Sequence, residues 1–278
     1  MSTDQAPQHE RPLYWLALAA VLFGFAVAIL FQVIVQAIGS GSGVPAAHPT
    51  PAMNNADNYI LDLSFIGSAL YFTTVRGVMG RSEFGYRRIP ALTALGAIVA
   101  AGGAYYALTV VYSLVFNLHS TDKLPAGLGL HHTGWKIVVA LYVCAMAPMA
   151  EEFFFRGFLF GILRRMRVRI AGREAGPWVA AAIVGVLFGL AHFDSAQPEF
   201  LVPLGFLGFV LCIVRWRTGS LYPCMVLHSL NNSIALAVNE HLGWGTGGSI
   251  AVVVGSLALI ALVTGPLSAR RGASLSET

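Results

Sequence analysis

Eight apolar runs recur along the chain, at 13–38, 59–75, 91–116, 135–163, 178–192, 200–214, 221–238 and 250–267. A helix needs about 20 apolar residues, at about 1.5 Å each, to cross the hydrocarbon core of a bilayer. Lipid supplies no partner for a backbone N–H or C=O, so such a run must close its own hydrogen bonds as a helix, and an open sheet cannot. The links between runs are short, no segment of soluble-domain size remains, and no internal repeat is visible. The expected fold is therefore all-α, a polytopic transmembrane helical bundle of about eight spans forming a single integral membrane domain over 1–278. Composition agrees: 56% of residues are hydrophobic, only 11% are charged, and the mean hydropathy is +0.69, far from the balance of a soluble domain. The expected location is a membrane crossed several times, the plasma membrane in a prokaryote.

Basic residues give an orientation. Arg11 precedes the first run; Arg76, Arg81, Arg87 and Arg88 fill the second link; Arg164, Arg165, Arg167, Arg169 and Arg173 fill the fourth; Arg215 and Arg217 fill the sixth; Arg270 and Arg271 follow the last. All fall on one side, while the opposite links hold only Lys123, Lys136 and a Gly/Pro/Asn-rich stretch at 40–58 that reads as an exposed loop. Both termini are expected to be cytoplasmic, with the first run an uncleaved anchor, because it is longer than the apolar part of a secretory signal. The net charge of +4 follows from this bias toward an anionic leaflet, and no aromatic-interleaved basic module argues for nucleic acid. Cys144, Cys212 and Cys224 are odd in number, scattered and each inside a run, so they are packing residues and not a disulfide framework.

Ionisable groups near mid-bilayer are expensive and mark functional sites. Here they are few. Glu151, Glu152 and Arg156 lie in the fourth run, His192 ends the fifth, and His228 with Asn231 and Asn232 lies in the seventh. On a helix Glu152 and Arg156 stand at i and i+4 with the acid first, the better order for an ion pair. Glu151 is rotated from Glu152 by about 100° and is left without that partner. Phe188 and His192 share a helix face, as do His228 and Asn232.

Each group alone has an ordinary reading, as a structural charge cluster, an interfacial histidine, or interhelical hydrogen bonding. Together they supply a set for hydrolysis. A carboxylate can take a proton from water, an imidazole can orient that water, and His with Asn can donate to an oxyanion. Glu151, His192 and His228 with one open position also form a zinc donor set. Other designs fit worse, since there is no HExxH pair, no GxSxG elbow, and Asp57 and Asp62 fall near the outer end of one run.

The segments EEFFFRG (151–157), LFGLAH (187–192) and HSLNN (228–232) resemble, in order and rough spacing, the EExxxR, FxxxH and HxxxN motifs of the CPBP intramembrane proteases, which include the type II CAAX prenyl endopeptidases and bacteriocin-processing relatives. The resemblance implies a catalytic core at about 134–240, in which Glu151 and His192 activate water, His228 and Asn232 stabilise the oxyanion, and Glu152 and Arg156 support them from behind. It implies an intramembrane endopeptidase, glutamate-dependent or zinc-dependent, acting on a membrane peptide or a lipidated protein C-terminus. The alternative is a non-catalytic membrane protein or an ion- or proton-coupled transporter with a buried polar cluster, although the paired halves of a transporter are not seen. Pro148 predicts a kink beside the site. Glu151 and His228 fall near mid-span while His192 ends its run, so the fifth and sixth runs are expected to form a short hairpin that brings His192 to the others.

Overall fold

The computed structural model describes residues 14–76, 81–118, 124, 127–239 and 243–268. The expectations for Arg11, Lys123, Arg270, Arg271 and both termini lie outside these residues. Each apolar run holds one helix: α1 Tyr14–Gly41, α2 Pro51–Arg76, α3 Ala91–Val115, α4 Thr133–Leu163, α5 Gly176–Ala191, α6 Leu201–Thr218, α7 Tyr222–Asn239 and α8 Gly245–Thr264. Among the described residues five helices (α1, α3, α4, α6 with the turn before it, and α8) are long and apolar enough to cross a membrane. The chain is an all-α, multi-pass integral membrane protein. Its small non-helical element is a hairpin of two-residue strands, β1 Arg169–Ile170 and β2 Arg173–Glu174, turned by Ala171 and Gly172 at φ 49° and 76°.

The α2 helix departs from the expected loop at 40–58, because it begins at Pro51. Proline suits a first helical turn, where its missing N–H costs nothing, and the Thr50 hydroxyl accepts the Met53 N–H at 3.3 Å as a cap. The asparagines that read as loop residues instead hold backbone: Asn54 Nδ2 donates to the Gly127 carbonyl at 3.0 Å, and Asn55 Nδ2 to those of Pro51 at 2.7 Å and Leu128 at 3.2 Å.

The arginine-bearing links meet at one end of the bundle. Arg165 pairs with Glu83 at 3.3 Å, Arg215 Nη2 donates to the Glu83 carbonyl at 2.8 Å, the Tyr14 hydroxyl to the Arg165 carbonyl at 3.1 Å, and the Ser220 hydroxyl to the Arg87 carbonyl at 2.7 Å. Toward the centre, Phe154, Phe158, Phe188, Leu207, Leu211 and Leu221 form a fully buried core.

The α5–α6 hairpin is joined backbone to backbone. A Cβ added at Gly189 would lie 2.5 Å from the Leu201 carbonyl oxygen, and one at Gly185 would lie 2.8 Å from that of Gly205. Such small-residue contacts let helices approach without a hydrophobic driving force. Sixteen residues of α5, at about 1.5 Å each, span roughly 24 Å, which agrees with the short hairpin expected. Gly189→Val should therefore lower the unfolding temperature of the detergent-solubilised protein markedly, by about the 1–3 kcal/mol of an overpacked core. Gly205→Ala, whose Cβ would meet its nearest neighbour at 3.4 Å, should leave it nearly unchanged.

Candidate active site

Two stretches of α4, Tyr142–Met146 and Glu152–Leu159, are wound as wide π turns, a form that recurs at functional sites. Pro148 sits between them and gives no N–H to the turn before it. Polar side chains of α7 serve that region: the Ser229 hydroxyl donates to the Cys144 carbonyl at 2.5 Å, and Asn232 Nδ2 to the Val143 carbonyl at 2.8 Å. Within a membrane such satisfaction is obligatory. Asn232 thus spends one amide hydrogen on holding α7 to α4, and its Oδ1 accepts from Asn231 Nδ2 at 3.3 Å.

The expected ion pair is present and deeply buried. Arg156 Nη1 lies 2.8 Å from Glu152 Oε1, and both side chains are fully inaccessible. Arg156 also donates from Nη2 to the Gly208 carbonyl of α6 at 3.2 Å, and its guanidinium lies over the Phe188 ring at 4.2 Å, a cation–π contact strengthened by desolvation. Glu152 does more than neutralise Arg156, because the same Oε1 receives His228 Nδ1 at 2.9 Å. That link joins α4 to α7 and has no signature in the sequence.

Glu151, on the neighbouring helix face, points at both imidazoles. Its Oε2 lies 3.8 Å from His192 Nε2 and 3.9 Å from His228 Nε2, and this buried oxygen has no hydrogen-bond partner. His192 Nδ1 lies 2.8 Å from the Phe188 carbonyl oxygen; a carbonyl only accepts, so Nδ1 carries the proton. Glu152 fixes the proton of His228 on Nδ1 in the same way. When the rings are neutral, both Nε2 atoms therefore present lone pairs toward Glu151. The Phe188 ring packs on both imidazoles, with centroids 4.8 Å from His192 and 5.6 Å from His228.

Two oxygen or nitrogen atoms 3.8–3.9 Å apart leave a gap that one water, bonding at about 2.7–3.0 Å, can bridge. For zinc the donor chemistry fits, since each imidazole already gives its far nitrogen to an oxygen acceptor, the usual support of a metal-bound histidine. The spacing is wider than the roughly 3.3 Å between ligands held tetrahedrally at about 2.0–2.1 Å from zinc, and among the described residues no group of three or more His, Cys, Asp or Glu is set to hold an ion.

The cluster faces a cavity of about 180 Å³, on the side of the bundle away from the arginine-bearing links. Glu151, His192 and Asn232 line it, together with Asp62 of α2 and Tyr142 of α4. Tyr142 donates its hydroxyl to Asp62 Oδ2 at 2.7 Å. Beyond this pair lies a larger, mostly apolar cavity of about 590 Å³, walled by Ile66, Leu70, Met146, Met149 and Phe153 among others. Sequence reasoning set Asp62 aside, although an acid inside an apolar run was the available signal. Ser229 and Tyr142 carried no signal at all.

Residues 133–234 match the family described as type II CAAX prenyl endopeptidase Rce1-like. Among curated proteins, the chain is 30% identical over 138 residues to Uncharacterized protein YyaK of Bacillus subtilis (strain 168), covering 46% of this chain and 43% of that protein. It is 27% identical over 136 residues to an Uncharacterized 24.3 kDa protein of Escherichia coli, covering 47% and 60%. The matched stretch thus spans about half the length of these relatives. No solved structure matches the chain. The matched segment at 133–234 contains every motif residue from Glu151 to Asn232 and is consistent with the CPBP resemblance.

Proposed function

We propose that the protein is an intramembrane endopeptidase of the CAAX-protease type, which hydrolyses a peptide bond in a membrane peptide or a lipidated protein C-terminus. The observation that carries this reading is the convergence of one unpartnered carboxylate oxygen and two oriented imidazoles on a single gap. The Rce1-like match supports the reaction class, and the apolar cavity beyond Tyr142 and Asp62 suits a substrate that carries a lipid chain.

In this reading Glu151 takes a proton from a water that His192 orients, and the water oxygen adds to the scissile carbonyl carbon. His228, with Nδ1–H on the Glu152 carboxylate, donates from Nε2 to the oxyanion when that nitrogen also carries a proton. The second amide hydrogen of Asn232 is the other donor. As the C–N bond breaks, Glu151 passes its proton to the leaving amine and returns to the carboxylate. Arg156 pairs with Glu152, the anchor of His228. A zinc ion at this place would be held by Glu151, His192 and His228 and would supply Lewis-acid polarisation of the carbonyl.

Glu151→Ala, His192→Ala and His228→Ala should each lower cleavage of a farnesylated or plain C-terminal peptide by the purified protein about 10²–10⁴-fold, with unchanged elution on size exclusion. Full activity in any one variant would remove that residue from the site. Glu152→Gln keeps an acceptor for His228 Nδ1 but removes the charge that stabilises its imidazolium. It should reduce kcat by about tenfold or more while KM changes little, as for a contact strengthened in the transition state. A chelator should leave activity intact. Loss of cleavage that zinc restores would transfer the electrophilic role to a metal, and no cleavage across the peptide panel would favour an ion- or proton-binding membrane protein.

A further inference from the structure

The cavity lined by Glu151, His192 and Asn232 is closed on one side by α2, which lies wholly outside the segment that matches the Rce1-like family. Asn55, Asn58 and Asp62 stand on one face of α2, at steps of three and four residues, and all three line the cavity.

Their polar atoms are arranged with one sense. Asn55 commits its amide nitrogen to the carbonyls of Pro51 and Leu128, and Asn58 commits its own to the Asn54 carbonyl at 3.3 Å. A carbonyl only accepts, so the orientation of both amides is fixed. Their Oδ1 atoms, and Oδ1 of Asp62, receive no hydrogen bond among the described residues, whereas Asp62 Oδ2 is held by Tyr142. Asp62 is only 7% exposed and Asn55 only 4%. Among the described residues no lysine or arginine lines the cavity. Asn58 is half-buried, and none of the three oxygens is sealed from the cavity, so each can accept a donor that a ligand brings.

We propose that this face of α2 is the wall that binds the substrate backbone, with Asp62, Asn58 and Asn55 accepting N–H groups of an extended peptide that lies across Glu151. An extended segment presents such donors at a regular repeat, and main-chain hydrogen bonds of this kind give affinity without demanding a particular side chain. The inference rests on the endopeptidase reading for what enters the cavity, while its own content is the binding wall. Asp62 is a positioning residue here, since its oxygen holds the peptide and does not touch the scissile bond.

The test separates binding from cleavage. A fluorescein-labelled peptide with a farnesylated CAAX-type end, its unfarnesylated counterpart, and versions of each with one backbone nitrogen methylated at a time are titrated against the full-length protein in detergent. Anisotropy gives Kd, and mass spectrometry scores cleavage in parallel. Methylation removes one N–H donor, and a typical hydrogen bond is worth about 0.5–1.5 kcal/mol, or roughly 2–12-fold. One methylation position should therefore raise Kd several-fold for the unaltered protein and have almost no effect in Asp62→Leu. Asp62→Asn, which retains an acceptor, should recover much of that sensitivity. The same coupling without any cleavage would uphold the wall and overturn the protease reading. Equal methylation penalties in the unaltered protein and in Asp62→Leu, or no binding by any peptide, would overturn the wall. Should Asp62→Leu fail to fold, Asn58→Ala takes its place, with loss of sensitivity expected at a neighbouring nitrogen and equal penalties overturning the wall.

Discussion

One buried cation organises the half of the bundle that carries the polar cluster. Arg156 binds Glu152 on its own helix, the Gly208 carbonyl of α6 and the face of Phe188 on α5, and Glu152 passes that anchorage to His228 of α7. A guanidinium without water must have its charge paired, and both terminal nitrogens of Arg156 reach oxygens while its Nε has no partner. The partners that satisfy Arg156 are therefore also the ones that fix the positions of four helices. A lysine could not serve, because a single ammonium presents no plane to stack on Phe188 while reaching two oxygens.

The same economy explains the winding of α4. Wide turns and a proline weaken the ladder of backbone bonds within this helix, and in lipid the carbonyls involved must find donors elsewhere. Ser229 and Asn232 supply them from α7. These contacts bind the two helices beside Glu151 and His228, so the irregularity that aims the carboxylate also secures the helix carrying the second imidazole. The reading of Asn232 as interhelical adhesive and its reading as an oxyanion donor are compatible, since an amide nitrogen has two hydrogens and Val143 takes one.

What the sequence made legible follows from what lipid enforces. Each apolar run became one helix because no other spanning structure was open to it, and the Glu152–Arg156 pair followed from a spacing that survives the change from α to π winding. The short α5–α6 hairpin could be anticipated from the mismatch between His192 and the mid-span residues, and His192 indeed stands 3.8 Å from Glu151. Contacts between helices were not legible, because they obey no fixed spacing along the chain. The bond from His228 to Glu152 and the use of Tyr142 to hold Asp62 are of this kind. The start of α2 was misread for a different reason. Its asparagines have the composition of a loop, and only the tertiary carbonyls of Gly127 and Leu128 turn them into helix-stabilising residues.

The division between α2 and the Rce1-like segment has a physical basis. Each member of the polar cluster has a partner on its own helix, Glu151 beside the Glu152–Arg156 pair, His192 with Phe188 and His228 with Asn232, and such short spacings are what a motif can describe. A wall that accepts hydrogen bonds needs only a polar helix face at about the right depth, and many sequences provide one. Glu151, His192 and His228 accordingly stand out from the chain as a pattern, while Asn55, Asn58 and Asp62 become visible only when the cavity they close is seen from within. Affinity for a peptide would then depend on residues that carry no motif, one of which, Asp62, is tied to α4 by the Tyr142 hydroxyl.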